Sequence, residues 1–496
     1  MNINSSDTNP FEKLTGSSIL ANTKAIVILL TVVTLIALLL AKMQIMGAGL
    51  VFALLFGLIF LYLLFQNPII GYYTAIGLNF ILLGLNRYIV GLPLGFGIDG
   101  ILLLTLLALI FSRFRDRVDW SPANKDITIL AALWLGYCLL QLVNPEAQSV
   151  EAWITGRGIG FYFFFFVVLT LLFINTGRKL DTLLYVWGVF TIIGTLKGIV
   201  QLYIGVDAAE QAWLDDGAAQ THVLFGKLRV FSFFSDAGQF GANQGFSAVV
   251  AIIYSMSKRG FAKVFFILVG LFGIYGMMIS GTRGAISVPL VGFMTFFVLR
   301  RNLKVLAFGV FILAIVFVFF KYTTIANGND QIRRMRTAFD PNDASLHVRL
   351  DNQKLFKTYL ATRPFGGGLG HAGDKAKRFL PNAFLSNVAT DSWYVQIWAE
   401  LGIVGLVLHL GILFYVMGKA SFQVMFRIRD PDLKLRISAL IAGMAGIMVA
   451  SYGNAILGQM PTALLFYAGM AIISNTAVLD NEATEPVSKL QHKFIN

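Results

Sequence analysis

Long apolar segments recur along the whole chain, with short polar connections between them. Each segment has about 20 residues, which is the length that an α-helix needs to cross a bilayer. The pattern predicts an all-α polytopic membrane protein with about 14 transmembrane helices, whereas the strands of a β-barrel would alternate apolar and polar residues. The predicted helices are centred near Thr34, Gly57, Leu78, Thr105, Leu135, Phe166, Thr191, Ala248, Gly270, Gly292, Val310, Leu410, Met444 and Gly469.

The composition agrees with this pattern. The 496 residues are 57% hydrophobic and only 13% charged, whereas a soluble domain has about 25% charged residues. A formal net charge of +13 would suggest a nucleic-acid partner in a soluble protein, but basic cytoplasmic loops explain it in a membrane protein. We therefore expect membrane lipid, and no nucleic acid, as a partner.

The basic residues are distributed unevenly between alternate loops. Cytoplasmic loops carry more lysine and arginine than the opposite loops, so the distribution predicts that both termini are cytoplasmic. The richer loops contain Arg113, Arg115, Arg117, Lys125, Arg178, Lys179, Lys258, Arg259, Lys263, Arg300, Arg301, Lys304, Arg427, Arg429, Lys434 and Arg436. The poorer loops contain Lys42, Arg87, Arg157, Lys227 and Arg283.

The predicted organisation has five parts. They are a cytoplasmic tail (1–23), transmembrane helices 1–11 (24–320), an extracytoplasmic loop (321–393), transmembrane helices 12–14 (394–475) and a second cytoplasmic tail (476–496). Both tails are predicted to be mobile ends.

The long loop is basic although it lies on the extracytoplasmic side, which suggests an anionic ligand. The alternative is a solvated loop with excess charge. Apolar residues at helical spacing predict an amphipathic helix between Asn342 and Thr362 that lies on the bilayer surface, capped by Asn342 or Asp343 and ended by Arg363-Pro364. Leu346, Leu350, Phe356 and Leu360 would share its apolar face. Arg349 and Lys357 would be free to face a polar cavity.

Three other cations lie close to predicted spans, where a charge is costly and suggests function. Arg229 opens the polar, glycine-rich stretch "RVFSFFSDAGQFGANQGF", which predicts a broken or re-entrant element that lines a cavity. Arg283 lies in "SGTRGA", at the junction of two spans. The alternative for both is an interfacial arginine that contacts lipid headgroups. Lys197 is predicted to pair with Asp207 or Glu210, to contact headgroups, or to face the cavity.

Arg229, Arg283 and the basic loop lie on the same predicted side of the membrane. A guanidinium group donates two parallel hydrogen bonds to a phosphate, so several arginines together suit the diphosphate of a lipid carrier. The sequence has neither a grouping of His, Cys, Asp or Glu with metal-ligand spacing nor a nucleotide-binding motif. We therefore expect no metal and no cofactor.

Four motifs in order, "RVFSFFSDAGQFGA", "SGTRGA", "RPFGGGLG" and "TDSWYVQIWAELGIVGL", resemble the O-antigen ligase and polymerase superfamily of bacterial inner-membrane glycosyltransferases. The resemblance is best over residues 228–417. It implies a GT-C-like helical fold, a large periplasmic loop, an active site that faces the periplasm, and an undecaprenyl-diphosphate-linked oligosaccharide as donor. A chain-length regulator and a flippase of the same pathway are implied partners.

The resemblance also extends to individual residues. Arg229, Arg283 and Arg349 match arginines of the family's motifs. Ligases have a His-Asn pair where this chain has Asp391-Ser392, and this departure disfavours a histidine-based mechanism. His371, in the same loop, is the alternative if the loop brings it to the same place.

These residues can be given roles in a glycosyl transfer. Asp391 is the candidate general base, and the alternative for it is a helix N-cap. Arg229 and Arg283 would stabilise the leaving diphosphate, while Arg349, Arg363, His371 and Trp393 would bind the diphosphate or the glycan.

Three further features of the late motifs have alternative explanations. Trp393, Tyr394 and Trp398 either stack on sugars or belong to an interfacial aromatic belt, which we favour. The glycines of "FGGGLG" either allow a close approach to the ligand or form a flexible loop. Glu400 is predicted to be a structural partner.

The sequence thus predicts a metal-independent, inverting glycosyltransferase of the hexosyltransferase type, which polymerises lipid-linked repeat units of O-antigen or exopolysaccharide. The alternatives are an O-antigen ligase that transfers the glycan to lipid A-core and a protein O-oligosaccharyltransferase. A lipid-linked oligosaccharide flippase is the alternative from another class, but it would show an internal repeat of two halves, which the sequence lacks.

Overall fold

The computed structural model describes residues 31, 54–89, 94–112, 118–224, 226–328, 330–337 and 344–484. Residues up to Ile70 belong to one compact unit and residues from Gly71 onward to a second. Within the first unit, α1 covers Leu54–Gln66. The next helix, α2, covers Ile69–Leu85.

The second unit is almost entirely helical and contains all the residues discussed below. Its helices are α3 (Gly95–Ser112), α4 (Asp126–Leu140), α5 (Val150–Gly156), α6 (Gly158–Phe173), α7 (Gly177–Tyr203), α8 (Ala208–Trp213), α9 (Ala219–His222), α10 (Ala237–Ser255), α11 (Gly260–Ile279), α12 (Ser287–Leu299), α13 (Leu303–Tyr322), α14 (Asp330–Arg336), α15 (Ala344–Leu360), α16 (Phe384–Asn387), α17 (Trp393–Phe426), α18 (Pro431–Gly453), α19 (Thr462–Ser474) and α20 (Thr476–Thr484). One short antiparallel hairpin pairs β1 (Val223–Leu224) with β2 (Lys227–Leu228).

The described residues confirm an all-α polytopic membrane protein. Eight helices are long and apolar enough to cross a membrane, or nine if the bent pair α19 and α20 is one span. Every predicted centre from Gly57 onward lies in a helix, whereas Thr34 lies outside the described residues. The predicted number of 14 spans is not reached by these helices, because several of the others, such as α1 and α2, are shorter than a full crossing.

The central helix, α10, corrects one prediction. The stretch after Arg229 was expected to be broken, yet Ala237–Ser255 is a regular helix of 19 residues that is almost completely buried. Its glycines allow neighbouring helices to approach closely: a Cβ at Gly241 would lie 2.2 Å from the Ser280 hydroxyl. The irregular backbone is confined to the residues before the helix, where Ser232 has φ +52°.

The polar side chains of α10 explain why it tolerates complete burial. Gln239 Nε2 donates to the Ile456 carbonyl at 2.9 Å, and Asn243 Nδ2 donates to Thr462 Oγ1 at 3.1 Å. A buried polar group costs little when it is hydrogen-bonded. These side chains therefore join α10 to α19 and to the segment before α19, rather than line a water-filled channel.

The predicted loop helix forms as α15, but its surroundings differ from the expectation. Phe356 and Leu360 are buried against Leu385 and Ala399, in a cluster formed by the loop and the first turns of α17. Leu350 remains 40% exposed. The side chain of Leu346 and both predicted caps, Asn342 and Asp343, lie outside the described residues.

The segment after α19 corrects the predicted C-terminal tail. Residues 476–484 form the docked helix α20 rather than part of a mobile end. The Asp480 carboxylate accepts hydrogen bonds from the backbone N–H groups of Arg429 and Asp430, both at 3.1 Å. Glu482 accepts one from Gly177 N at 3.0 Å. The helix therefore ties the loop before α18 to the start of α7.

Candidate functional site

A cavity of about 710 Å³ lies where the hairpin, the starts of α10 and α12, and the long loop meet. We call it the cationic cavity. It is lined by Thr221, His222, Arg229, Asp236, Gly238, Thr282, Arg283, Gly284, Ile286, Ser287, Leu290, Arg334, Thr337, Arg349, Asp374, Asp391, Gly453, Asn454 and Ile456. Four predicted site residues, Arg229, Arg283, Arg349 and Asp391, are therefore brought together from separate parts of the chain.

Arg229 directly follows β2 and is half-buried. Its Nη1 donates to the Thr221 carbonyl at 2.9 Å and its Nη2 to Thr282 Oγ1 at 3.1 Å. Its Nε is buried and has no hydrogen-bond partner among the described residues. Burial lowers the pKa of Arg229, and the charge of Arg283 lowers it further although Asp236 opposes the shift.

Arg283 and Arg334 meet at the turn between α11 and α12. Arg283 Nη1 donates to Thr337 Oγ1 at 3.4 Å. Gly281 has φ +57°, and a Cβ there would lie 3.4 Å from Cδ of Arg334, so a glycine leaves room for the side chain of Arg334 against the turn. Burial, together with the charges of Arg229 and Arg283, lowers the pKa of Arg334 to about 10.

The fourth arginine, Arg349, reaches the cavity from α15. In the described part of the chain, neither Arg229, Arg334 nor Arg349 forms an ion pair with an acidic side chain. Like charges that are gathered in a partly buried cavity repel each other and favour a bound anion. The arrangement is therefore suited to a phosphate-containing ligand.

Three carboxylates line the cavity, and two of them are engaged. Asp236 is the N-cap of α10, and it accepts from Gln239 N at 2.9 Å. Asp374 pairs with Lys377 at 2.8 Å. Asp391, in contrast, has neither a hydrogen bond nor an ion pair among the described residues. A carboxylate without a partner beside a cationic site is available to accept a proton.

The local backbone explains the position of Asp391. The residue has φ +50°, a left-handed conformation that aspartate tolerates better than most residues. The N-cap of α17 is the next residue, Ser392, so the alternative role of Asp391 as the helix cap is wrong. The tight turn before the helix leaves the carboxylate in the cavity.

Arg87 positions this side of the cavity, although it was predicted only as a basic residue of a loop. Its Nη1 donates to the Ser232 carbonyl at 2.9 Å, and its Nη2 donates to the Phe234 carbonyl. The guanidinium carbon lies 4.3 Å from the ring centroids of both Trp213 and Phe231. Arg87 thus fixes the turn between Arg229 and the start of α10.

His222 also lines the cavity and was missed by the sequence reasoning. Its Nδ1 lies 3.0 Å from the Ala218 carbonyl, and its Nε2 accepts from Ala237 N at 3.4 Å. Burial lowers the pKa of this imidazole. Because both ring nitrogens are engaged, His222 supports the start of α10 rather than offering a free base.

His371 does not reach the cationic cavity. Its Nε2 accepts from the backbone N–H groups of Gln148 (3.0 Å) and Ser149 (3.1 Å). The proton must therefore be on Nδ1, which donates to the Leu369 carbonyl at 3.0 Å. Burial lowers the pKa of His371. The alternative that His371 takes the place of the ligase histidine is not supported by this geometry.

Arg363 and Trp393 also lie away from the cationic cavity. Arg363 Nε donates to Glu146 at 2.9 Å, and its guanidinium carbon lies 4.2 Å from the ring centroid of Tyr359. Trp393 is only 1% exposed, and its Nε1 donates to His409 Nε2 at 3.0 Å. A buried indole with a satisfied N–H can neither stack on a sugar nor belong to an interfacial belt, so both predictions for Trp393 are wrong.

The glycines of "FGGGLG" allow the loop backbone to pack closely against the backbone of other segments. A Cβ at Gly366 would lie 2.4 Å from Gly402 N, and a Cβ at Gly370 would lie 2.0 Å from the Ala152 carbonyl oxygen. Glu400 accepts from Gly370 N at 3.0 Å, which confirms its predicted structural role. The loop is therefore neither flexible nor a lining of the cationic cavity.

Lys197 pairs with both predicted acids, Asp207 at 3.2 Å and Glu210 at 3.0 Å. Its charge is thus compensated outside the cavity. Arg334, which does line the cavity, was not singled out in the sequence. The consecutive arginines of α14 gave no signal to tell which one faces inward.

Comparison with known proteins supports the family relationship. Residues 266–410 match the family model described as O-Antigen ligase. The matched segment includes Arg283, Arg334, Arg349 and Asp391, whereas Arg229 lies before it. No curated protein shows significant similarity to the chain. Over these residues, the match confirms the predicted resemblance to the O-antigen ligase and polymerase superfamily.

Proposed function

We propose that this protein belongs to the O-antigen ligase and polymerase superfamily and is a membrane glycosyltransferase that polymerises lipid-linked oligosaccharide repeats. The donor is an oligosaccharide on undecaprenyl diphosphate, and the reaction takes place at the periplasmic face of the bacterial inner membrane. The observation that carries the proposal is the cationic cavity, in which four arginines surround a space beside Asp391, whose carboxylate has no partner in the described part of the chain.

The arginines are proposed to bind the diphosphate. Arg229 and Arg283 approach from two different segments, and Arg334 and Arg349 close the site from the long loop. Planar guanidinium groups form bidentate hydrogen bonds with phosphate oxygens. A bound diphosphate would offset the burial and the repulsion from Arg229 and Arg283, which together lower the pKa of Arg334. The binding of the leaving group and the stabilisation of its charge would therefore be done by the same side chains.

The proposed reaction is a single displacement at the anomeric carbon. An acceptor hydroxyl oxygen attacks from the face opposite the diphosphate, and Asp391 takes the hydroxyl proton. The new glycosidic C–O bond forms while the bond from the anomeric carbon to the diphosphate oxygen breaks. The electron pair leaves with the lipid diphosphate, whose developing charge the arginines stabilise. The anomeric configuration is inverted, and metal independence stays a prediction.

A polymerase is favoured over a ligase by the nature of the base. Asp391 stands where ligases have a histidine-containing pair, and His371 lies outside the cavity. His222 lies at the cavity wall with both ring nitrogens engaged. These observations support a carboxylate-based transfer to a second lipid-linked repeat.

A flippase for the same lipid-linked glycan is the alternative from another class. Such a protein needs cations for the headgroup, but it has no use for a proton acceptor beside them. The unpartnered carboxylate of Asp391 therefore favours an enzyme.

The purified full chain in detergent, supplied with a defined polyprenyl-diphosphate repeat and no nucleotide, tests the proposal. We expect longer glycans on the lipid carrier and release of polyprenyl diphosphate. Parallel reactions with lipid A-core or an acceptor protein would reveal the ligase and the protein-glycosylating alternatives. Movement of the lipid-linked repeat across a proteoliposome bilayer without a new glycosidic bond would contradict the proposal and indicate a flippase.

A further inference from the structure

A second cavity, of about 440 Å³, adjoins the cationic cavity. Asp374 lines both of them. Two consecutive pairs also divide between the cavities: Ser235 and Thr390 line the second cavity, while Asp236 and Asp391 line the first. Consecutive residues of the same backbone segments therefore line the two cavities on opposite sides. Asp391, the proposed base, lies at this boundary.

Most charges of the second cavity are compensated, whereas Lys375, which also lines it, has no ion pair among the described residues. Arg157 donates through Nε to Asp99 at 2.8 Å. The buried Glu400 accepts from Gly370 N and, at 3.1 Å, from Gln396 Nε2. The second cavity thus lacks the uncompensated cluster of arginines that makes the first cavity suitable for a diphosphate.

Neutral hydrogen-bonding groups face this space instead. Gln459 Oε1 accepts from the Ser235 hydroxyl at 2.7 Å, which leaves its Nε2 without a partner among the described residues. Gln396 uses its Nε2 on Glu400 and keeps its amide oxygen available. Thr155 and Thr390 add hydroxyl groups.

The remaining wall is apolar. Leu83, Ile159, Met460 and Tyr467 line it. Sugars present hydroxyl groups at their edges and C–H groups on their faces, so a cavity with amide and hydroxyl groups on one part of its wall and apolar side chains on another matches an uncharged glycan.

We propose that the second cavity binds the acceptor glycan and presents its hydroxyl to Asp391, while the donor diphosphate occupies the cationic cavity. The proposal rests on the proposed function and adds to it a separate acceptor site, with Gln396 and Gln459 as its specificity-determining residues. Two sites are needed because the donor and the acceptor must be bound together at the moment of transfer.

Binding to the full chain in detergent tests this site without any turnover. The probe is the repeat-unit oligosaccharide, freed from lipid and phosphate by mild acid hydrolysis. We expect it to bind equally well, or better, when inorganic pyrophosphate saturates the cationic cavity. Competitive displacement of the oligosaccharide by pyrophosphate, or no binding of the oligosaccharide, would overturn the proposal.

Two variants locate the site. Gln459→Leu and Gln396→Leu should each weaken oligosaccharide binding by about threefold to tenfold, since each removes a hydrogen bond to an uncharged group, and should leave pyrophosphate binding unchanged. Gln211→Leu, at an exposed position outside both cavities, is the matched control. Unchanged oligosaccharide binding in both folded variants would overturn the proposal.

Kinetics with the lipid-linked donor test whether the second cavity holds a different occupant, the donor's prenyl chain. If the second cavity held the donor's prenyl chain, the two variants would raise the KM for the donor and not for the acceptor, which would also overturn the proposal. Failure of the proposed function has a different signature: the wild-type chain would then form no glycosidic bond, whatever the oligosaccharide binding shows.

Discussion

Two polar regions of this apolar chain look alike in sequence and differ in structure. The glycine clamp, residues 363–371, contains an arginine, a histidine and four glycines, and nearly every polar group in it has a partner. The cationic cavity contains arginines that repel each other and the carboxylate of Asp391, which has no partner among the residues that the structure describes. Polar groups that satisfy one another hold the fold together, whereas unsatisfied groups are available to a ligand.

The difference has an energetic basis. His371 and Arg363 each gain hydrogen bonds that offset the cost of removing them from water. Arg229 and Arg334 are partly buried without an ion pair among the described residues, and burial lowers the pKa of both. Partly buried cations of this kind are typical of a site where a bound ligand supplies the opposite charge. The substitutions below test each side of the comparison.

The largest effect is expected for Asp391→Asn. Asparagine has the same shape and tolerates the left-handed backbone, but it cannot accept the proton, so kcat should fall by about 10²–10⁴-fold. Binding of pyrophosphate should persist. The matched control is Asp351→Asn, at an exposed carboxylate that pairs with Lys354. A kcat within about twofold of wild type would show that Asp391 is not the base.

Arg283→Ala should reduce glycan transfer by about 10²–10³-fold, because it removes a donor to the leaving diphosphate. Arg283→Lys should restore little, since an ammonium group lacks the planar pair of donors. Both variants should insert in the membrane normally. Arg333→Ala is the control, at an exposed residue of α14 outside the cavity. Near-normal transfer by both Arg283 variants would show that the arginines do not stabilise the leaving diphosphate.

The glycine clamp should respond in stability rather than in chemistry. Gly370→Ala introduces a side chain at φ +78° and 2.0 Å from the Ala152 carbonyl oxygen, so the free energy of unfolding should drop by about 2–4 kcal/mol. Gly411→Ala is the control, because nothing lies within 4 Å of a Cβ there. Thermal unfolding in detergent measures both. Equal unfolding temperatures would mean that the clamp does not hold the loop.

The smallest effect is expected for Arg363→Gln. The ion pair with Glu146 is partly exposed, and such pairs contribute less than about 1 kcal/mol. Transfer activity should stay close to that of the wild type. A large loss of activity with unchanged unfolding would show that Arg363 reaches the substrate after all.

The sequence was informative where a residue type is costly in a membrane. Arg229 and Arg283 stood out because charges near apolar spans are rare, whereas Arg349 and Asp391 stood out through the long loop and the family's motifs. All four line one cavity. The helices were predictable for the same reason, because an apolar run of sufficient length has few other conformations available.

The sequence could not show which polar residues are satisfied by distant partners. His371 bonds to a backbone segment more than 200 residues earlier. Trp393 bonds to His409 across a kink in α17 at Gly402, which has φ +68°. The role of the glycines likewise depends on what packs against them, which a motif does not reveal. Arg334 was not singled out because only the folded position of α14 decides which of its arginines faces inward.

The most direct test of the central claim is equilibrium binding of inorganic pyrophosphate to the full chain in detergent, measured by calorimetry at low and at high salt. The account predicts one site, which is weakened at least about tenfold by Arg283→Ala or by Arg334→Ala and is unchanged by Arg333→Ala. Absence of binding, or binding that is the same in all of these variants, would contradict the account.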